Sequence, residues 1–204
     1  MSNEVFEMIC AMDRRNIELQ IGLQCAPVVA GLKTSNLLIV PREDEDLVRA
    51  VLRHSGLLNY RLAYDRHRVI FLVFDRDILS AYLAREDVTA FLNRAGYRSD
   101  SFGYILRTFQ ERYAAYIAGA GSFPHEIGVL LGYPLCDVTG FIDNGGAGFL
   151  YSGYWKVYAN VDETRQLFDE FDAAKDEILI SINAGSSIRE LIDNYRRPAG
   201  TLVG

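Results

Sequence analysis

The sequence predicts an α+β fold in a single domain, a small, mostly antiparallel sheet packed with several helices. Strand-like segments come early, at 35–40, 57–64 and 68–74, with one more candidate at 149–158, while helical patterns fill the middle and the end. That segregation points to α+β rather than to a doubly wound α/β chain, in which strands and helices alternate. Asp65-Arg66-His67 joins two of the strands as a hairpin turn. The second strand of that pair is nearly all apolar (Val69, Ile70, Phe71, Leu72, Val73, Phe74), the pattern of a central strand covered on both faces.

Taken in order, residues 3–24 read as a helix, with Val5, Met8, Ile9, Met12, Leu19 and Leu23 near helical spacing and a break possible at Asp13 to Asn16. Pro27 ends this helix or opens a short second one, which places Cys25 just before a possible helix N-terminus. Ser35 to Val40 is a strand stopped by Pro41. Glu43 to Ser55 is a helix with an acidic first turn, late cations at Arg49, Arg53 and His54, and Gly56 as its stop. Asp75 or Asp77 caps a helix over Ile78–Leu83, and Asp87 caps one over Val88–Ala95 that stops at Gly96. Ser99 or Asp100 caps a third, Phe102–Ile117, with Phe102, Ile105, Leu106, Phe109, Tyr113 and Tyr116 on one side.

Pro124 stands as the first residue of a short helix through Leu131, and Pro134 opens another through Ile142. Asn144-Gly145-Gly146-Ala147-Gly148 is a loop, and Phe149–Tyr158 is a strand or hairpin arm. A long helix starts at Val161 and runs to about Lys175. The run Ile178–Asn183 is too short to assign to helix or strand by periodicity. Ser186 or Ser187 caps a last helix to about Tyr195. The domain is expected to span 1–195, with 196–204 a flexible tail of Pro, Gly and small residues.

Composition excludes several classes of function. The net charge is −6 and the Lys and Arg residues are scattered among acids, which argues against a nucleic-acid binder. Three cysteines, Cys10, Cys25 and Cys136, are an odd number without a close pair, so no disulfide framework is expected and a reducing cytosol suits them. No stretch approaches the roughly 20 apolar residues of a membrane helix, and the N-terminus lacks the basic and apolar segments of a signal peptide. The expectation is a cytoplasmic protein with no membrane association. No cofactor is implied: the 144–148 loop lacks Gly-Lys-Ser/Thr, and no Gly-x-Gly-x-x-Gly follows a strand. His125, Glu126, Cys136 and Asp137 lack metal-ligand spacing, so no metal is expected.

Two functional readings come from the residues. In the first, Tyr133, Tyr154 and Trp155, with Tyr151 and Tyr158, line a groove beside the glycine-rich loop, with Asn144 in the loop and Lys156 pointing to solvent or into the cleft mouth; the occupant is an unknown small molecule or protein partner. In the second, Cys25 is a thiol nucleophile, His125 its base and Asp137 the group that orients the base, with Asp143 and Asn144 as other choices. Cys-Ala-Pro at Cys25-Ala26-Pro27 is similar to the Cys-Gly-Pro of some papain-like cysteine peptidases, which implies a thiol hydrolase or transferase; in those enzymes the His lies on a strand, whereas His125 reads as helical.

The segment Phe123-Pro124-His125-Glu126-Ile127-Gly128-Val129-Leu130-Leu131-Gly132-Tyr133-Pro134, with Cys25-Ala26-Pro27 near the start and Ser152-Gly153-Tyr154-Trp155-Lys156-Val157-Tyr158, resembles a bacterial family of domains of unknown function. The resemblance covers about residues 15–195. It implies no assigned activity and supplies no catalytic residues.

Overall fold

In β3 (Arg68–Phe74), successive side chains alternate between two apolar cores. Val69, Phe71 and Val73 enter one; Leu72 and Phe74 enter the other, with Ile70 packed against it. A strand buried on both faces has no polar side, which is why its sequence is a continuous apolar run. In the computed structural model, which describes residues 3–13, 15–98 and 100–196, β3 lies between β1 (Ser35–Pro41) and β2 (Leu58–Tyr64) in the order β1-β3-β2. Both pairings are antiparallel, with Ser35 and Leu58 each opposite Phe74. The 65–67 turn is held by the Asp65 carboxylate, which accepts from the backbone N–H groups of His67 and Arg68 at 2.7 and 2.8 Å.

The fold is α+β, and the sheet separates two helical layers. On the Val69–Phe71–Val73 face pack α2 (Ile17–Val29), α3 (Glu45–Leu52), α10 (Ile188–Arg196) and the C-terminal half of α9 (Val161–Asn183), through residues such as Ile21, Leu52, Ile178 and Ile192. The short α1 (Asn3–Ala11) lies outside this layer, its Val5 and Ile9 against Leu19 and Leu179. On the Leu72–Phe74 face pack α4 (Arg76–Leu83), α5 (Glu86–Arg94), α6 (Phe102–Ile117), α7 (Ile127–Leu130) and α8 (Leu135–Asp143), through residues such as Leu79, Leu92, Phe109, Leu130 and Val138. A two-stranded hairpin, β4 (Tyr151–Ser152) and β5 (Lys156–Val157), packs its Trp155 and Val157 against Phe168 and Phe171 of α9. Among the described residues no helix is long and apolar enough to cross a membrane.

Several expectations need correction. The break expected at Asp13 to Asn16 separates α1, which ends at Ala11, from α2, which Asn16 caps through Glu18 N and Leu19 N, but α2 then runs past Pro27 to Val29. Cys25, Ala26, Pro27, Val28 and Val29 are all buried, so packing outweighs proline's helix-breaking tendency this close to the helix end. The Pro27 carbonyl accepts from Leu32 N and Lys33 N, which closes the helix. Arg85, not Asp87, is the N-cap of α5; Asp87 pairs with the Arg85 guanidinium at 2.7 Å. Pro124 opens a turn, and α7 starts three residues later at Ile127. Residues 178–183 are the end of α9, not a separate element: Thr164, Phe168, Phe171, Ile178, Leu179 and Ile182 form one buried stripe. The N-cap of α6 is Ser101; of the tail predicted at 196–204, Arg196 is the last residue of α10, and residues 197–204, like the Ser99 alternative, lie outside the described residues.

Candidate functional site

Helical spacing on α8 puts Asp137, Val138 and Phe141 on one side, since 137–141 and 138–141 are i,i+4 and i,i+3 pairs. All three line a cavity of about 410 Å³. The segment before α7 contributes Phe123 and His125, α7 and the turn after it contribute residues that include Leu131 and Tyr133, the hairpin contributes Tyr154, Trp155 and Lys156, and Leu37 of β1 also lines the cavity.

The hairpin has only two residues per strand, too little to stand on its own in water. Asp137 holds it to α8. This carboxylate is 2% exposed, and one oxygen accepts from the Trp155 indole N–H at 2.8 Å. The other accepts from the backbone N–H groups of Tyr158 and Ala159 at 2.7 and 3.3 Å. Three donors satisfy a buried charge that would otherwise be costly. The Trp155 ring, so fixed, stacks on Tyr133 at 4.7 Å and stands edge-on to Phe168 at 4.5 Å. The Tyr154 hydroxyl donates to Asp172 of α9 at 2.9 Å; burial first, then this bond, holds its pKa above the ordinary tyrosine value.

His125 and Lys156 are held by fewer partners than Asp137. His125 is exposed, edge-on to Phe123 at 5.3 Å and tilted against Phe141 at 5.6 Å, and among the described residues its ring makes no hydrogen bond. The Lys156 ammonium donates to the Gly146 carbonyl at 2.7 Å and lies over the Phe149 ring at 4.8 Å and the Phe141 ring at 5.6 Å. Gly146 has φ +76, and a Cβ there would sit 3.0 Å from the Phe141 ring, so the loop's close approach needs glycine.

A second hollow, of about 600 Å³, shares Phe123 and His125 with the first and adds Arg94, Arg112 and Glu126. Glu126 is buried and accepts from Arg112 at 2.7 Å and from the Tyr97 hydroxyl at 3.2 Å. The glutamate of the Phe-Pro-His-Glu motif is thus bound to α6 and to the end of α5's connection, fixing the segment that presents His125.

The structure therefore brings His125, Asp137, Tyr133, Tyr154, Trp155 and Lys156 around one cavity. Cys25 and Asn144 are elsewhere. Cys25 is fully buried in the core on the other face of the sheet, with its sulfur 3.8 Å from the Leu37 carbonyl. Burial pushes its thiol up to about 12, against a smaller opposing effect of Lys33. A protonated thiol sealed in apolar packing is not a nucleophile, so the Cys25–His125 dyad is corrected. Asp137 is not an orienting acid behind His125: its oxygens accept from Trp155, Tyr158 and Ala159, and no hydrogen bond joins it to the His125 ring. Asn144 ends α8, its side-chain amide donating to the Gly140 carbonyl at 2.8 Å. Among the described residues no cluster of three or more His, Cys, Asp or Glu is placed to hold a metal.

Phe123, Val138 and Phe141 were missed as cavity residues. The signal for the last two was present in the i,i+3 and i,i+4 spacing from Asp137, once α8 was placed. Leu37 had a weaker signal, the strand parity opposite to Leu38 and Val40.

A family model described as a protein of unknown function, DUF3793, matches residues 21–192. No curated protein and no solved structure matches the chain. The matched span runs from within α2 to the middle of α10 and includes the whole cavity: the chain belongs to the DUF3793 family of proteins of unknown function.

Proposed function

We propose that this chain is a non-catalytic, cytoplasmic binding module of a bacterial family, and that it holds a small apolar molecule in the cavity between α8 and the β4–β5 hairpin. The observation that carries this reading is the lining itself. Tyr133, Phe141, Tyr154 and Trp155 gather with Leu131 and Val138 around about 410 Å³, with few polar groups among them. Cavities of this size and character favour apolar ligands placed by one or two polar contacts. The rigid mounting of Trp155 supports the reading, since a site held in place beforehand loses less ordering entropy on binding.

Trp155 is the only tryptophan in the chain, so its emission reports on the cavity directly. Titration with 3-phenyl-1-propanol, exciting at a wavelength tyrosine does not absorb, is expected to give a saturable change in that emission. A Val138→Phe variant, which fills part of the cavity, is expected to abolish the change. A linear, unsaturable response that is the same in both proteins counts against the reading.

A further inference from the structure

Lys156 is the one lysine or arginine in the lining of the apolar cavity. Its ammonium has three donors, and the Gly146 carbonyl takes one. Among the described residues no carboxylate lies within ion-pair distance of it. The one carboxylate of the lining, Asp137, already accepts from Trp155, Tyr158 and Ala159. Phe141 has the Lys156 ammonium 5.6 Å from its ring centre and the His125 ring at 5.6 Å, so both of these groups sit beside one side chain. Rings under the ammonium hold it by cation–π attraction but offer no counter-ion. A cation left unneutralised in a wall of low polarity strengthens any anion that reaches it, because the surrounding dielectric is lower than that of water.

We infer that the ligand of this cavity is an apolar, ring-bearing molecule with a single anionic group, a carboxylate in the simplest case, whose oxygens accept from Lys156 and from the His125 ring while the ring packs among Tyr133, Phe141 and Trp155. The inference rests on the cavity being a ligand site and adds the charge and polarity of what fills it. The oxygens of a bound carboxylate take the two free ammonium donors and the unpaired imidazole N–H. A cationic ligand finds one carboxylate, Asp137, which three donors already hold.

The test is a matched series with one ring and one chain length: 3-phenylpropanoate, 3-phenyl-1-propanol and 3-phenylpropylammonium, each titrated against Trp155 emission at neutral pH. The expected order is acid, then alcohol, then amine, with the acid about tenfold tighter than the alcohol, the size of one charge-assisted hydrogen bond. Lys156→Met keeps an unbranched side chain one atom shorter and removes the charge; there the acid is expected to bind no tighter than the alcohol. Equal affinities for acid and alcohol in the wild type overturn the inference and leave the apolar cavity standing. Tighter binding of the amine overturns it as well. Failure of all three to bind removes both the inference and the reading beneath it. The wild-type series decides the matter even if the variant does not fold.

Discussion

The Trp155 indole donates to the Asp137 carboxylate across 2.8 Å, and this bond fixes the largest ring of the cavity to the helix that supplies the cavity's other side. Asp137→Ala removes the acceptor from three donors at once, the indole and the backbone N–H groups of Tyr158 and Ala159. Leaving such groups unpaired in a buried place costs about 1–3 kcal/mol each before relaxation. The expected loss in urea unfolding is about 3 kcal/mol, with Trp155 emission shifted to the red in the folded variant as the hairpin loosens and water reaches the ring. An unchanged emission maximum would mean that the packing of Trp155 on Tyr133 and Phe168 holds the hairpin without Asp137.

Gly140 and Gly103 make a contrasting pair. Both lie in helices, where alanine is favoured over glycine by up to about 1 kcal/mol. A Cβ on Gly140 would stand 2.5 Å from the Tyr158 ring and 2.7 Å from the Tyr158 Cβ, whereas one on Gly103 meets nothing within 4 Å. Gly140→Ala is expected to destabilise by about 1–3 kcal/mol, because α8 and the hairpin must move apart. Gly103→Ala is expected to be neutral or stabilising by a few tenths of a kcal/mol. Urea midpoints of the two variants check both; a stabilised Gly140→Ala would mean that the hairpin yields freely.

The three thiols separate by accessibility. Cys10 and Cys136 are exposed and Cys25 is fully buried, with its pKa pushed up to about 12 by desolvation. Reaction of the native protein with a chromogenic disulfide near neutral pH is expected to release two equivalents quickly, and the third only in denaturant. A fast third equivalent, or one from a Cys10→Ser, Cys136→Ser double variant, would return Cys25 to consideration as a nucleophile.

The strands and the hairpin turn were legible in the sequence because short apolar runs and an Asx turn are local signals. The central place of β3 was legible from its unbroken run of Val69 to Phe74. Six of the eight candidate site residues meet at one cavity for a related reason: a lone Trp, clustered Tyr and a glycine-rich loop mark an irregular segment that has to be packed somewhere. The failures were those of tertiary context. Cys25 beside Pro27 reads locally as a helix boundary, but the burial of Ala26, Val28 and Val29 carries α2 through it. Nothing local to Cys25 or His125 shows that a sheet lies between them. Asp137 reads as chemistry by residue type, and only its three donors identify it as an anchor.

Lys33 gives the pH dependence that follows from burial. It is 7% exposed, donates to Asn36 and lies 5.0 Å from the Tyr133 ring centre. Desolvation lowers its pKa from 10.5 to about 8, against a smaller opposing effect from Cys25. The unfolded chain therefore holds a proton that the native protein has released between pH 8 and 10.5. Stability gains from this group as pH rises through that window, and its cost is fully present below it. Cys25 acts in the opposite sense, since its native pKa of about 12 lies above the ordinary 9.0, so its contribution is lost as pH rises from 9 toward 12. Comparing the wild type with Lys33→Met cancels the thiol, which both proteins keep. The wild type is expected to gain about 1 kcal/mol on the variant between pH 8 and pH 9 in urea unfolding. A difference that stays constant across that interval would mean that water reaches the amine, and that the contact with Tyr133 is made at the surface rather than in the wall behind the cavity.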